Sequence, residues 1–188
     1  MYESWQKKET KMKILLASLL LLATTSIYSQ SFLEDFLFRW QKSKEYTIAV
    51  ANAMPDSAYK FKPMDAERTF AEALAHICTG IDLHAEIFIK GRREEELPKD
   101  QRKKLYTNEG KNKQQLIDLI TKTFDDATAI IKSFNPSQLE DKVSFFGKPR
   151  TKLQIFLLLS DHVSHHRAQL LVYLRLKGIE PPEYIDYQ

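Results

Sequence analysis

Glycine is scarce in this chain, with five in 188 residues. Sheet-rich folds rely on glycine for their many tight turns, so the shortage leans away from sheets and towards helices. Cysteine is scarcer still. Cys78 stands alone, which excludes an internal disulfide and leaves the hydrophobic core to carry the fold. A strong charge of either sign is missing too, since the formal net charge is only +3. Residues 1–29 hold four lysines against two glutamates, so the remainder carries +1. Nothing in that balance calls for a nucleic acid as partner. No apolar run comfortably reaches the roughly 20 residues that a membrane span takes, and no internal repeat or low-complexity tract is present. What remains is an ordinary globular composition, 43% hydrophobic and 28% charged, at a length that suits one domain with a single core.

The first 29 residues read as a signal peptide. Lys11 and Lys13 precede the apolar run Ile14 to Ala23, and the small and polar residues Thr24 to Gln30 follow it. A basic start, a short apolar stretch and small residues before a cut are the parts of a secretory leader. Cleavage is expected after Ser29, which makes residues 30–188 the mature domain and the protein exported, periplasmic or secreted. The basic start is tidier if translation begins at Met12 rather than Met1. With no cysteine at the cut, a lipid anchor is not expected, and after cleavage no membrane attachment remains.

Four segments of the mature region have helical spacing. The first, about Phe32 to Met54, places Leu33, Phe36, Leu37, Trp40, Thr47 and Val50 on one stripe, and Pro55 closes it. The second opens on the capping box Thr69-Phe-Ala-Glu72 and runs to about Lys90, where Gly91 stops it. A charged crossover from Arg92 to Gly110 leads to a third helix, about Lys113 to Phe134, ended by Asn135-Pro136. Val143 to Pro149, aromatic and centred on Gly147, predicts a small hairpin or an irregular loop. A second capping box, Thr151-Lys-Leu-Gln154, starts the fourth helix, which ends before Gly178. These elements define an all-α four-helix bundle with a long crossover loop.

The chemistry lies in the histidines. His162 and His166 are four residues apart, so their side chains stack one turn apart on the face that also carries Ile155, Leu159 and Tyr173. Taken by itself, the pair reads equally well as an ordinary polar pair or as two ligands of one cation. His76 alone reads as a satisfied core or surface histidine. Its neighbours Ala73 and Gly80 are small, however, and glycine in mid-helix costs about 1 kcal/mol against alanine. Close approach at Gly80 is a reason to accept that cost. Together, three histidines on inward faces of two helices point to a metal site in the bundle. His165 points about a third of a turn away from His166, His84 lies about 80° round from His76, and Cys78 faces nearly opposite. None of these three belongs to the same centre.

At these residues the chain resembles the DinB/YfiT-like family of metal-dependent four-helix-bundle proteins. The resemblance spans about Phe32 to Tyr184. It rests on Phe61-Lys-Pro63, on Thr69-Phe70 leading to Ala75-His76, on Asp161-His162-Val-Ser-His-His166-Arg-Ala-Gln169, and on Tyr173-Leu-Arg-Leu-Lys-Gly178. It implies one ligand from the second helix and two from the fourth, which fall on His76, His162 and His166. The family commonly has glycine where this chain has Ala168. It also implies a choice of reactions, since some relatives resemble thiol-dependent transferases and others hydrolases.

Three neutral imidazoles leave a coordination position open on a divalent ion, whereas a closed structural zinc site normally has four protein ligands. Zinc is the expected metal, and nickel, iron and manganese accept the same donors. The leading expectation is a metal-dependent hydrolase or thiol transferase acting on a small molecule. Export argues against the transferase, because low-molecular-weight thiols are mainly cytosolic. The other expectation is a binding or interaction protein whose metal is structural or vestigial. Asp161, His165 and Glu72 are the candidates for a general base, each with an ordinary surface or capping role beside it. Arg167 and Gln169 are expected to support the helix rather than touch substrate. A homodimer is the expected assembly if there is one, with the Trp40 helix and Phe145-Phe146 as contact surfaces.

Overall fold

No proline or glycine occurs before Pro55, and the chain accordingly begins as one uninterrupted helix. The computed structural model describes residues 2–92, 96, 100, 101, 104 and 106–187; for residues 2–4, 7, 8 and 16–30 it describes the backbone only. Among these, four long helices form the bundle: α1 (Tyr2–Ala53), α2 (Phe70–Asp82), α3 (Lys113–Ser133) and α4 (Lys152–Leu176). α1 therefore continues well beyond the expected start at Phe32, through the segment expected to be a leader. Most of the apolar run from Ile14 to Ala23 has side chains outside the described residues, and so does part of the 92–110 crossover. Among the described residues, no helix is long and apolar enough to cross a membrane.

Both predicted capping boxes form. Thr69 Oγ1 accepts from the Glu72 amide while Glu72 Oε2 accepts from the Thr69 amide at 2.7 Å, and Thr151 and Gln154 repeat the arrangement. A third box, Asn112 with Gln115, starts α3. It also fits a capping-box pattern, with asparagine in place of serine or threonine. The second helix differs from its expected course. The α-helical part stops at Asp82, and Leu83–Ile89 continue as a π-helix, a wider turn that often occurs near functional sites.

α2 packs against α3 and α4, and α1 packs against the same two helices, so α1 and α2 stand across the bundle from each other. The interior is apolar and continuous: Val50, Phe70, Phe124, Ile155, Phe156 and Leu159 are fully buried. Trp40 belongs to it, with its ring centroid 4.6 Å from that of Phe124 and 6.0 Å from that of Phe36. It therefore serves the core of this chain and presents no free surface. The short segment before α4 is a hairpin, in which β1 (Lys142–Phe145) pairs antiparallel with β2 (Lys148–Thr151). Phe145 faces Lys148, so the turn is Phe146-Gly147, with φ of 48° and 79°. Positive φ at both positions is the signature of a type I′ turn, whose twist matches that of the strands.

Candidate metal centre

α2 and α4 meet along the seam that carries the histidines. One ligand-capable atom from each of His76, His162 and His166 lies within 4.8 Å of the other two. Three nitrogens bound to one ion at about 2.1 Å sit no more than about 4.2 Å apart, so small ring rotations close the set onto one ion. The centroids of His76 and His166 are 4.4 Å apart, and those of His162 and His166 4.5 Å. All three side chains are half-buried, so the site is open to solvent on one side.

Gly80 makes this approach possible. A Cβ built there falls 1.9 Å from Cε1 of His162, far inside van der Waals contact. The imidazole of α4 thus lies directly on the backbone of α2, where any side chain would displace it. Nδ1 of His162 is buried and has no hydrogen-bond partner among the described residues. A polar atom left so costs about 1–3 kcal/mol, and a cation held among the three rings supplies a partner for an imidazole nitrogen. The donor set therefore fits a divalent metal.

Protonation favours the same use. Burial, reinforced by Arg68 and then His166, pulls the His76 pKa down to about 4. Burial first, then His166 and His84, pulls His162 down to about 3. His166 is lowered mainly by burial, against the opposing effect of its bond to Gln169. Neutral imidazoles are what a metal requires. Nδ1–H of His166 donates to Gln169 Oε1 at 2.8 Å, which leaves Nε2 with its lone pair free to bind. Such an outer partner fixes tautomer and ring orientation.

The remaining candidates separate clearly. Cys78 is buried and its thiol is pushed up to about 12 by burial, the behaviour of a small core residue. His165 and Asp161 are exposed on α4. Glu72 is committed to its capping box, and the bonds to Thr69 hold its carboxyl below the usual range. His84 is closer than its position on a regular helix suggested. It is the second residue of the π-helical segment, donates from Nδ1 to the Gly80 carbonyl at 2.7 Å, and has its centroid 5.6 Å from that of His162. It borders the site without entering the three-donor group. Beyond it, Phe145 packs on His84 and Phe88, and the exposed Phe146 packs on Phe145.

Two contributors to the centre were not tied to it by the sequence: Gln169, expected only in a supporting role, and Arg68. Gln169 stands three residues after His166, a spacing at which helix side chains meet, so its role was open to a closer reading. Arg68 lies in the linker before α2, held there by the Tyr173 hydroxyl donating to its carbonyl at 2.9 Å. Only the folded chain brings its charge near His76 and His166.

A four-helix bundle with three histidines, from two of its helices, positioned to bind a metal ion defines the class of protein. The DinB family model matches residues 28–187, and the chain belongs to the DinB family. It is 24% identical over 139 residues to the uncharacterized protein YjoA of Bacillus subtilis, covering 72% of this chain and 84% of that one. The crystal structure of that DinB-like protein superposes with a TM-score of 0.65 at 22% identity, over 80% of this chain and 97% of the other. A DinB-like protein from Bacillus cereus gives 0.63 at 19% identity, over 80% and 95%. These likenesses concern the fold.

Proposed function

We propose that the protein binds one divalent metal ion on His76, His162 and His166 and acts through the open side of that centre on a small molecule, as a hydrolase. The observation that carries this is the convergence of three neutral histidines, with no fourth protein donor in the group among the described residues. Bound there, the ion supplies Lewis acidity, polarising an oxygen or activating water. Around it, Gln169 orients His166, Gly80 admits His162, and Arg68 offers a cation to an anionic substrate group or a developing negative charge. The thiol-transferase reading shares this site but sits poorly with export. A purely structural metal is disfavoured by the core, whose continuous apolar packing spans all four helices without reference to the histidines.

Zinc titration followed by calorimetry and melting tests the proposal. A metal-free protein that stays folded, takes up one zinc and shows an exchangeable water on the bound ion supports it. A metal whose removal unfolds the bundle supports the structural reading instead.

The proposal includes export. Among the residues with described side chains the buried core begins at Leu33, while Trp5, Met12, Ile14 and Leu15 are exposed. The family match begins at residue 28. N-terminal sequencing of protein recovered from outside the cytoplasm is expected to read from Gln30. Recovery of the intact chain in the cytoplasm alone would contradict the export reading.

A further inference from the structure

α4 has a second polar face. Ser160, Ser164 and Arg167 follow each other by four and three residues, which places them on one side of the helix, roughly opposite His162 and His166. That side meets α1. Between the two helices lies a cleft of about 320 Å³, at the lower end of the range for small-ligand pockets.

Its most buried charged group is Arg167, which is only 6% exposed. Nη1 donates to Ser43 Oγ at 2.7 Å and, at longer range, to the Ser43 carbonyl and to Thr47 Oγ1. The guanidinium also lies over the Tyr46 ring, 5.0 Å from its centroid. Every one of these partners is neutral. Among the described residues, no carboxylate pairs with Arg167, and its Nε and Nη2 make no hydrogen bond. A buried charge without a counter-charge is costly.

The surroundings sharpen the imbalance. Arg39 and Lys42 line the same cleft and, among the described residues, no aspartate or glutamate does; Glu180 and Glu183 line the adjoining cavity that Arg167 also borders, without pairing with it. Lys42 has Glu45 beside it at 3.3 Å, whereas Arg39, like Arg167, has no acidic partner among the described residues. Three cations and several hydroxyls around one cavity are badly arranged for the empty protein. They are well arranged for an anion. The Ser43 hydroxyl accepts from Arg167 and keeps its own proton to donate, and the free edge of a guanidinium matches two oxygens of an oxoanion.

We propose that this cleft is a binding site for a phosphate-type dianion, either inorganic phosphate or a small phosphate monoester. Arg167 grips it at the base, Arg39 and Lys42 hold it at the rim, and the hydroxyls of Ser43 and Ser164 complete the shell. The site is separate from the histidine centre, which lies on the other face of α4.

The test uses the zinc-loaded full chain, titrated calorimetrically with inorganic phosphate, phenyl phosphate and acetate at one ionic strength. Saturable one-to-one binding of a phosphate compound, tighter than any binding of acetate, is expected, and the tighter of the two phosphates identifies the source. In an Arg39→Ser/Lys42→Ser variant that binding is expected to weaken on the order of tenfold or more, with zinc stoichiometry unchanged. These two residues stand at the rim, so the variant retains the bundle. Phosphate binding that is unaltered in the variant would place the anion on the metal and overturn the proposal, as would the absence of saturable binding or equal binding of acetate. A wild-type dimer that becomes monomeric in the variant would also overturn it, by assigning this face to a second copy of the chain.

Discussion

A single hydrogen atom in place of a side chain makes the site possible. Alanine in place of Gly80 improves helix propensity by about 1 kcal/mol, yet its Cβ lands 1.9 Å from the His162 ring. The overlap outweighs the propensity, because the ring must leave its place between α2 and α4. Gly80→Ala is expected to lose stoichiometric zinc binding while remaining helical by circular dichroism; a variant that binds zinc as tightly as the parent would contradict the close approach. Gln169 acts at the same scale through one bond to His166. Gln169→Ala is expected to reduce metal affinity roughly 10–100-fold, the usual effect of losing an outer-shell partner, and Gln169→Glu to restore much of it. Equal affinities in all three proteins would show that the bond does not orient the ligand.

The elements were legible to different degrees, for physical reasons. α4 could be read almost to the residue because a capping box starts it and Gly178 follows it, and α3 because its helical spacing begins at Lys113 and Asn135-Pro136 stops it. The histidine constellation was equally legible, since the spacing of His162 and His166 and the glycine one turn after His76 are local facts. The π-helical Leu83–Ile89 was not. A regular 3.6-residue period describes its residues just as well, and only packing against α3 and α4 makes the wider turn worthwhile. The consequence is His84, which that period sets apart and the structure places against His162. The hairpin holds a similar case. Phe146 occupies a left-handed turn position at φ 48° while 72% exposed, a conformation that costs a non-glycine residue roughly 1–2 kcal/mol. Phe146→Asn is expected to raise stability by about 1 kcal/mol, read from chemical denaturation. An unchanged or lowered midpoint would mean that packing on Phe145 and Phe88 outweighs the backbone cost.

At the scale of the whole molecule, core and site place different demands on the histidines. Burial keeps His76 and His162 neutral, with pKa values near 4 and 3, while an unfolded imidazole titrates near 6.5. Above about pH 6.5 neither state binds the proton and stability is complete. As the pH falls from there, the unfolded chain takes up protons that the folded chain refuses, so stability declines until the folded pKa values are reached. The metal-free protein is therefore expected to lose melting temperature steadily between about pH 6.5 and pH 4. Bound metal should deepen that dependence, because protons and metal compete for the same nitrogens. A flat profile across the window would show that the rings are not held neutral.

This bundle gathers His76, His162 and His166 within reach of one ion. Metal content per chain, measured by mass spectrometry on untagged protein and on His76→Ala, His162→Ala and His166→Ala, tests it most directly. One divalent ion per chain in the parent and a large loss in each variant is the predicted result. Full metal stoichiometry in the His162→Ala and His166→Ala proteins would contradict it.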